Sequence, residues 1–151
     1  MKRFRFTLRS VQTVRNIREL RAREVFSAAV AAQAQAARAL EAAKLRIQEL
    51  ETIMAEARSR TFRPAEQVAY IHEYALVRKA GEQAAQELAK AVQHMEQCRE
   101  LWIASRRDVR VIEKLETKAR EQHRQECEHE EQSLMDDRVN ALIGRAPLIL
   151  S

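Results

Sequence analysis

The chain has 151 residues, only two of them Gly and two Pro, and it carries 27 Lys and Arg against 22 Asp and Glu for a net charge of +5. So few chain-reversing residues exclude sheet-rich folds, because each turn between strands has steric demands that Gly, Pro, Asn or Asp usually meet. Charged residues at 32% and aromatics at 5% instead match long helices and coiled coils. With Gly only at Gly81 and Gly144, neither a phosphate-binding loop nor a dinucleotide-binding glycine fingerprint can be written, and the excess of base invites an acidic partner.

The opening, MKRFRF, is basic but leads into no apolar run, so no signal peptide is expected and the chain is expected in the cytoplasm. Helix 1 is predicted over about 7–59. Along it, alternating steps of three and four pick out Ala22, Phe26, Ala29, Gln33, Ala36, Leu40, Ala43, Ile47, Leu50, Met54 and Ala57, which is the seam of a coiled coil. A turn is predicted at 60–64, because Pro64 has no N–H to donate and biases Arg63 away from the helical region. Ser59 or Thr61 is placed to cap the helix that follows. Helix 2 is predicted over about 65–143, with a seam from Tyr70, Tyr74, Val77 and Gly81 to Trp102, Ser105, Val109 and Ile112 that falters at Glu116. Gly144 and Pro147 then read as a stop signal before a tail over 144–151. The longest apolar run, Ala28 to Ala32, is far short of the roughly 20 residues needed to cross a bilayer.

These elements predict an all-α fold: one coiled-coil unit, a long antiparallel two-helix hairpin in which helix 2 overhangs. A hairpin centred near Phe62 brings Ala43 to the neighbourhood of Gly81 and Leu8 to that of Glu116. Helix 1 then runs out, so residues from about Arg120 are expected to overhang, ending in an amphipathic stretch of Met135, Val139, Leu142 and Ile143.

Side-chain chemistry argues for a binding role. Cys98 and Cys127 have no CxxC spacing and read as reduced thiols. His123, Cys127, Glu130 and Glu131 share a helix face, yet a closed zinc site needs four ligands, so no metal and no cofactor are expected. Paired helices offer no water-excluding cleft of the kind that shifts carboxylate pKa values, so no catalytic residues and no enzyme activity are expected. Positions 1–24 hold eight basic and two acidic residues, and antiparallel pairing sets Arg106, Arg107, Arg110, Lys114 and Lys118 beside them. This basic collar lacks interleaved aromatics, so nucleic acid is not the expected partner. Near the turn, Val68, Ile71 and Ala75, with Leu45 on helix 1, project away from the seam and form a candidate docking patch.

Two stretches carry a family likeness. The opening MKRFRFTLRSVQTVRNIRELRARE is an F-x-F-x-L-x-x-V start followed by Arg and Glu heptads. The segment ELWIASRRDVRVIEKLETKAREQHRQECEHEEQSLMDD sets a Val109 to Lys118 core in a basic stretch. Over Lys2 to about Val139 the chain resembles the FliJ family of flagellar export proteins, which are similar to the small stalk proteins of injectisomes. The resemblance implies a non-enzymatic antiparallel coiled coil, shaped like the central stalk of rotary ATP synthases. It would sit in the pore of a hexameric export ATPase, promote ring assembly and ATP hydrolysis, and touch the cytoplasmic domain of the membrane export gate. It would also handle empty export chaperones. Protein contacts would hold it at the cytoplasmic face of the inner membrane. On that likeness the ring contact falls to Arg5, Leu8, Val11, Arg15, Arg18, Val109, Ile112 and Glu113, and the gate contact to Leu45, Val68, Ile71 and Tyr74. Competing readings are a cytoplasmic export chaperone or adaptor that binds substrates or empty chaperones through the overhang, and a structural coiled coil that works by self-association.

Overall fold

A computed structural model describes residues 3–60 and 63–144. Phe62 and Thr61, and the tail from 145 with Pro147, lie outside the described residues. Two helices account for nearly all of the rest: α1 over Arg9–Arg58 and α2 over Pro64–Gly144. No strand is present among the described residues, so the fold is the all-α two-helix hairpin that the composition predicts.

The helix ends follow from local chemistry. The carbonyl of Leu8 accepts from Gln12 N at 2.9 Å, which sets the first turn of α1. At its other end Ser59 N and Arg60 N donate to the carbonyls of Glu56 and Ala57, three residues back, the tightening usual in a last turn. Ser59 Oγ also donates to the Glu56 carbonyl at 2.6 Å. Ser59 therefore finishes α1, since the Glu56 carbonyl near the helix end has a second lone pair for its hydroxyl, and of the two predicted caps of α2 the other, Thr61, lies outside the described residues. Pro64 opens α2 at the position where a missing N–H costs nothing, while the Arg63 carbonyl receives Glu66 N and Gln67 N.

The chain forms two compact units, Arg18–Ser105 and Met1–Ile17 with Arg106–Ser151, here the hairpin unit and the terminal unit. In the hairpin unit every predicted seam residue of both helices is buried or half-buried, including Gln33. Ala29, Leu50 and Cys98 are the most enclosed. Gly81 marks the closest approach, since a Cβ built there would meet Ile47 Cδ1 at 3.3 Å and Ala43 Cβ at 4.0 Å. Near the other end of this unit the Phe26 and Trp102 rings stack with centroids 5.4 Å apart and planes 10° from parallel, a geometry that adds roughly 0.5–1.5 kcal/mol to plain area burial. Trp102 Nε1 donates to Glu19 Oε1 at 2.8 Å, so a carboxylate holds a seam position.

In the terminal unit Ile112 is 3% exposed and Val109 half-buried. Beyond them the pairing does not stop at Arg120 as the apolar pattern suggests. Glu116, Ala119, His123 and Cys127 continue the same spacing and stay half-buried, because residues 3–8, which precede α1, lie along α2 as non-helical chain. The Phe4 ring centres 5.5 Å from the ring of His123, with the Arg120 guanidinium 5.6 Å over its face. Glu116 joins the pieces: it accepts from Gln12 Nε2 at 2.7 Å and from Arg120 Nη2 at 2.6 Å. Past Cys127 every described residue is exposed.

Two outcomes follow from this packing. Leu50 is 1% exposed and Leu45 is 59% exposed, so in urea unfolding Leu50→Ala is expected to cost about 2–5 kcal/mol and Leu45→Ala no more than about 0.5 kcal/mol. The second concerns Glu116, whose carboxyl is held below its ordinary value of 4.5, first by the hydrogen bond from Arg120 and then by that from Gln12. A carboxylate with a lowered folded-state pKa contributes stability above its unfolded pKa and loses it as pH falls through the folded one. Glu116→Gln is therefore expected to be less stable than wild type at neutral pH, with the difference closing as melts are repeated at successively lower pH below 4.5. A difference that persists unchanged into acid would assign the loss to shape instead of charge.

Candidate interaction surfaces

The collar residues predicted from sequence fall into two physical groups. Arg5, Leu8, Val11 and Glu113 are exposed on the terminal unit, and Arg18 is exposed at the start of the α1 stretch of the hairpin unit. Val109 and Ile112 are seam residues that hold α1 against α2. Arg15 stands between the groups: half-buried, it donates Nη1 to the Asp108 carbonyl at 2.9 Å, which fixes the guanidinium across the two helices. Arg3, Arg5, Arg9 and Arg120 surround a hollow also lined by Phe4, Phe6 and Glu116. Glu116 is the single carboxylate among these lining residues, so the hollow presents cations beside aromatic faces.

The same unit exposes apolar side chains that the seam pattern does not use. Val11, Val14 and Ile17 recur every third residue on α1, and Val111 and Leu115 lie on α2. The ring contact drawn from the family likeness includes Val11 and leaves out Val14 and Ile17. The available signal was the three-residue repeat, which begins where the polar residues Gln12 and Arg15 occupy the seam.

Near the turn, Val68 is 68% and Ile71 53% exposed, and Ile71 edges a hollow with Met54, Arg58, Gln67 and Tyr70. Tyr74 is half-buried and donates its hydroxyl to Glu51 Oε1 at 3.0 Å, a bond that raises the phenol above its ordinary pKa. Leu45 is exposed but lies apart from them. Its neighbours Ala43 and Ile47 face Gly81, ten positions beyond Ile71, or about 15 Å at 1.5 Å per residue. The surface patch here thus lies on α2, where Val68, Ile71 and Ala75 are all exposed. Arg46, close to Leu45, is held by Glu49 and Glu73, an exposed pairing of small energetic weight.

His123 Nε2 and Cys127 Sγ approach to 3.7 Å, yet among the described residues no group of three or more His, Cys, Asp or Glu side chains is arranged to hold a metal ion. No helix among those residues is long and apolar enough to cross a membrane.

Against known proteins, neither the curated proteins nor the solved structures yield a match. A family model does match, that of the flagellar FliJ protein, over residues 4–147. The match takes in both helices, the Phe4 segment that lengthens their pairing and the exposed end of α2. The chain belongs to the FliJ family and is a component of the flagellar export apparatus.

Proposed function

We propose that this protein is a non-catalytic central stalk that couples the hexameric export ATPase to the cytoplasmic domain of the export gate, promotes ATPase assembly and activity, and is kept at the cytoplasmic face of the inner membrane by those protein contacts. The observation that carries this reading is the segregation of surface chemistry between the two units. The terminal unit combines Arg3, Arg5, Arg9 and the bases of α2 with exposed Leu8 and Val11, a surface suited to acidic and apolar pore loops. The hairpin unit exposes the uncharged pair Val68 and Ile71 near its turn, a surface suited to a second, apolar contact. In this assignment Arg5, Leu8, Val11, Arg18 and Glu113 touch the ring, with Arg15, Val109 and Ile112 shaping the surface from behind. Val68 and Ile71 touch the gate, flanked by Tyr74, and Leu45 lies at the margin of that contact.

A second reading has one observation in its favour. Residues 128–144 of α2 are exposed throughout, which is what an adaptor for export substrates or empty chaperones would present.

Charge reversal and apolar replacement at the two surfaces test the stalk reading. Arg5→Glu with Arg18→Glu is expected to weaken binding to the ATPase ring by about tenfold, equivalent to about 1.4 kcal/mol, and wild-type binding is expected to fall with added salt. Val68→Asp with Ile71→Asp is expected to abolish capture by the isolated gate domain while ATPase stimulation and helix content stay at wild-type levels, since both side chains already face water. Loss of both activities together in a variant that melts like wild type would refute separate contacts and favour the adaptor.

A further inference from the structure

Residues 3–6 alternate exposed Arg with half-buried Phe, the period of two expected of extended chain. Phe4 and Phe6 anchor this segment while Arg3 and Arg5 stay in water. Arg9 joins them from the first turn of α1 and Arg120 from α2, so four guanidinia from three stretches of the terminal unit border one hollow of about 880 Å³, a size that holds small organic ligands. Against them stands one carboxylate, Glu116, which leaves the lining a net charge of +3. Both of its oxygens are already engaged: Oε1 accepts from Arg120 Nε at 3.2 Å and Nη2 at 2.6 Å, and Oε2 accepts from Gln12. Arg3, Arg5 and Arg9 take part in no ion pair among the described residues, and Arg9 senses Glu116 at longer range only. The first turn of α1 holds no acidic residue. Phe6 meets no other ring among the described residues, whereas Phe4 lies under Arg120.

We propose that this hollow is a binding site for a diphosphate group, free or carried by a nucleotide, with Arg3, Arg5 and Arg9 gripping the phosphate oxygens and Phe6 offered to a ring attached to them. Three like charges drawn into one hollow repel one another, and an anion that meets them together relieves that repulsion. Guanidinium forks fit phosphate oxygens bidentately, and two joined phosphates concentrate about three negative charges in a small volume. An acidic peptide is the other anion that Arg accepts. Three of its carboxylates on one face of an extended chain spread over about 13 Å, so it would bring fewer of its charges into the hollow.

Isothermal titration uses the purified full chain with no ring or gate present, so its outcome is separate from that of the stalk reading. The probes are pyrophosphate and then ADP, each expected to bind at one site per chain with an affinity that falls as salt is added. Arg3→Gln with Arg9→Gln should weaken pyrophosphate binding by at least about tenfold with helix content unchanged. Arg38→Gln with Arg99→Gln removes the same charge from exposed positions of the hairpin unit and should change the affinity by less than about twofold. ADP that binds more tightly than pyrophosphate, with the excess lost in Phe6→Leu, would identify a nucleotide as the source of the diphosphate. ADP that binds no more tightly, and is unmoved by Phe6→Leu, would identify the free anion. Absence of saturable binding, equal weakening by both Arg pairs, or a triglutamate peptide that binds as tightly as pyrophosphate would each overturn the proposal.

Discussion

A pair of helices has one line of mutual contact, and everything else about this protein depends on how that line is filled. Each helix can bury only the stripe that faces its partner, so the enclosed core is thin: Ala29, Leu50, Cys98 and Ile112, backed by half-buried residues at the same spacing. Small side chains at the closest approach let the larger neighbours interlock, which is why Gly81 sits against Ile47 and Ala43. Stability then rests on length and on a few enclosed anchors, among them the Phe26 and Trp102 stack. Side chains off the stripe remain available to other molecules.

The stripe itself was legible from spacing alone wherever it is apolar, because a period of three and four leaves little room for another assignment. It was legible across single polar positions such as Gln33 and Ser105, and illegible where polar residues follow one another along it or stand at its end. Gln12, Arg15, Glu19 and Glu116 hold seam positions through hydrogen bonds to α2, to α1 or to both, and hydrophobic periodicity has no means of recognising a half-buried polar position whose cost is met by a partner. For the same reason the spacing ended too early at Glu116. The residues that extend the pairing, Phe4 against His123 and Arg120, belong to a non-helical segment whose contacts no helical period describes.

The candidate surfaces were legible unevenly, and the reason is geometric. Charge density is a local property of sequence, so the accumulation of Arg near the start of the chain and around Arg106 to Lys118 was plain. Whether a given collar residue faces outward depends on its phase relative to the seam. Val109 and Ile112 are in phase and enclosed, whereas Val11 and Glu113 are out of phase and open. Near the turn, Val68 and Ile71 share a helix and stay together. Leu45 belongs to the other helix at a different height, a separation that follows from the antiparallel register and from nothing in its own neighbourhood.

Exposed apolar residues on a coiled coil are unremarkable one at a time, and α1 shows that case at Val25 and Val30, each exposed amid small or polar neighbours. The outer face of α2 is the same case: exposed Val111 and Leu115 stand among Arg107, Lys114 and Lys118, and exposed Met135 and Leu142 follow Glu128 and Asp136, so charge interrupts the apolar positions as it does at the intrahelical pairs Arg78–Glu82, Lys90–Glu87 and Arg124–Glu121.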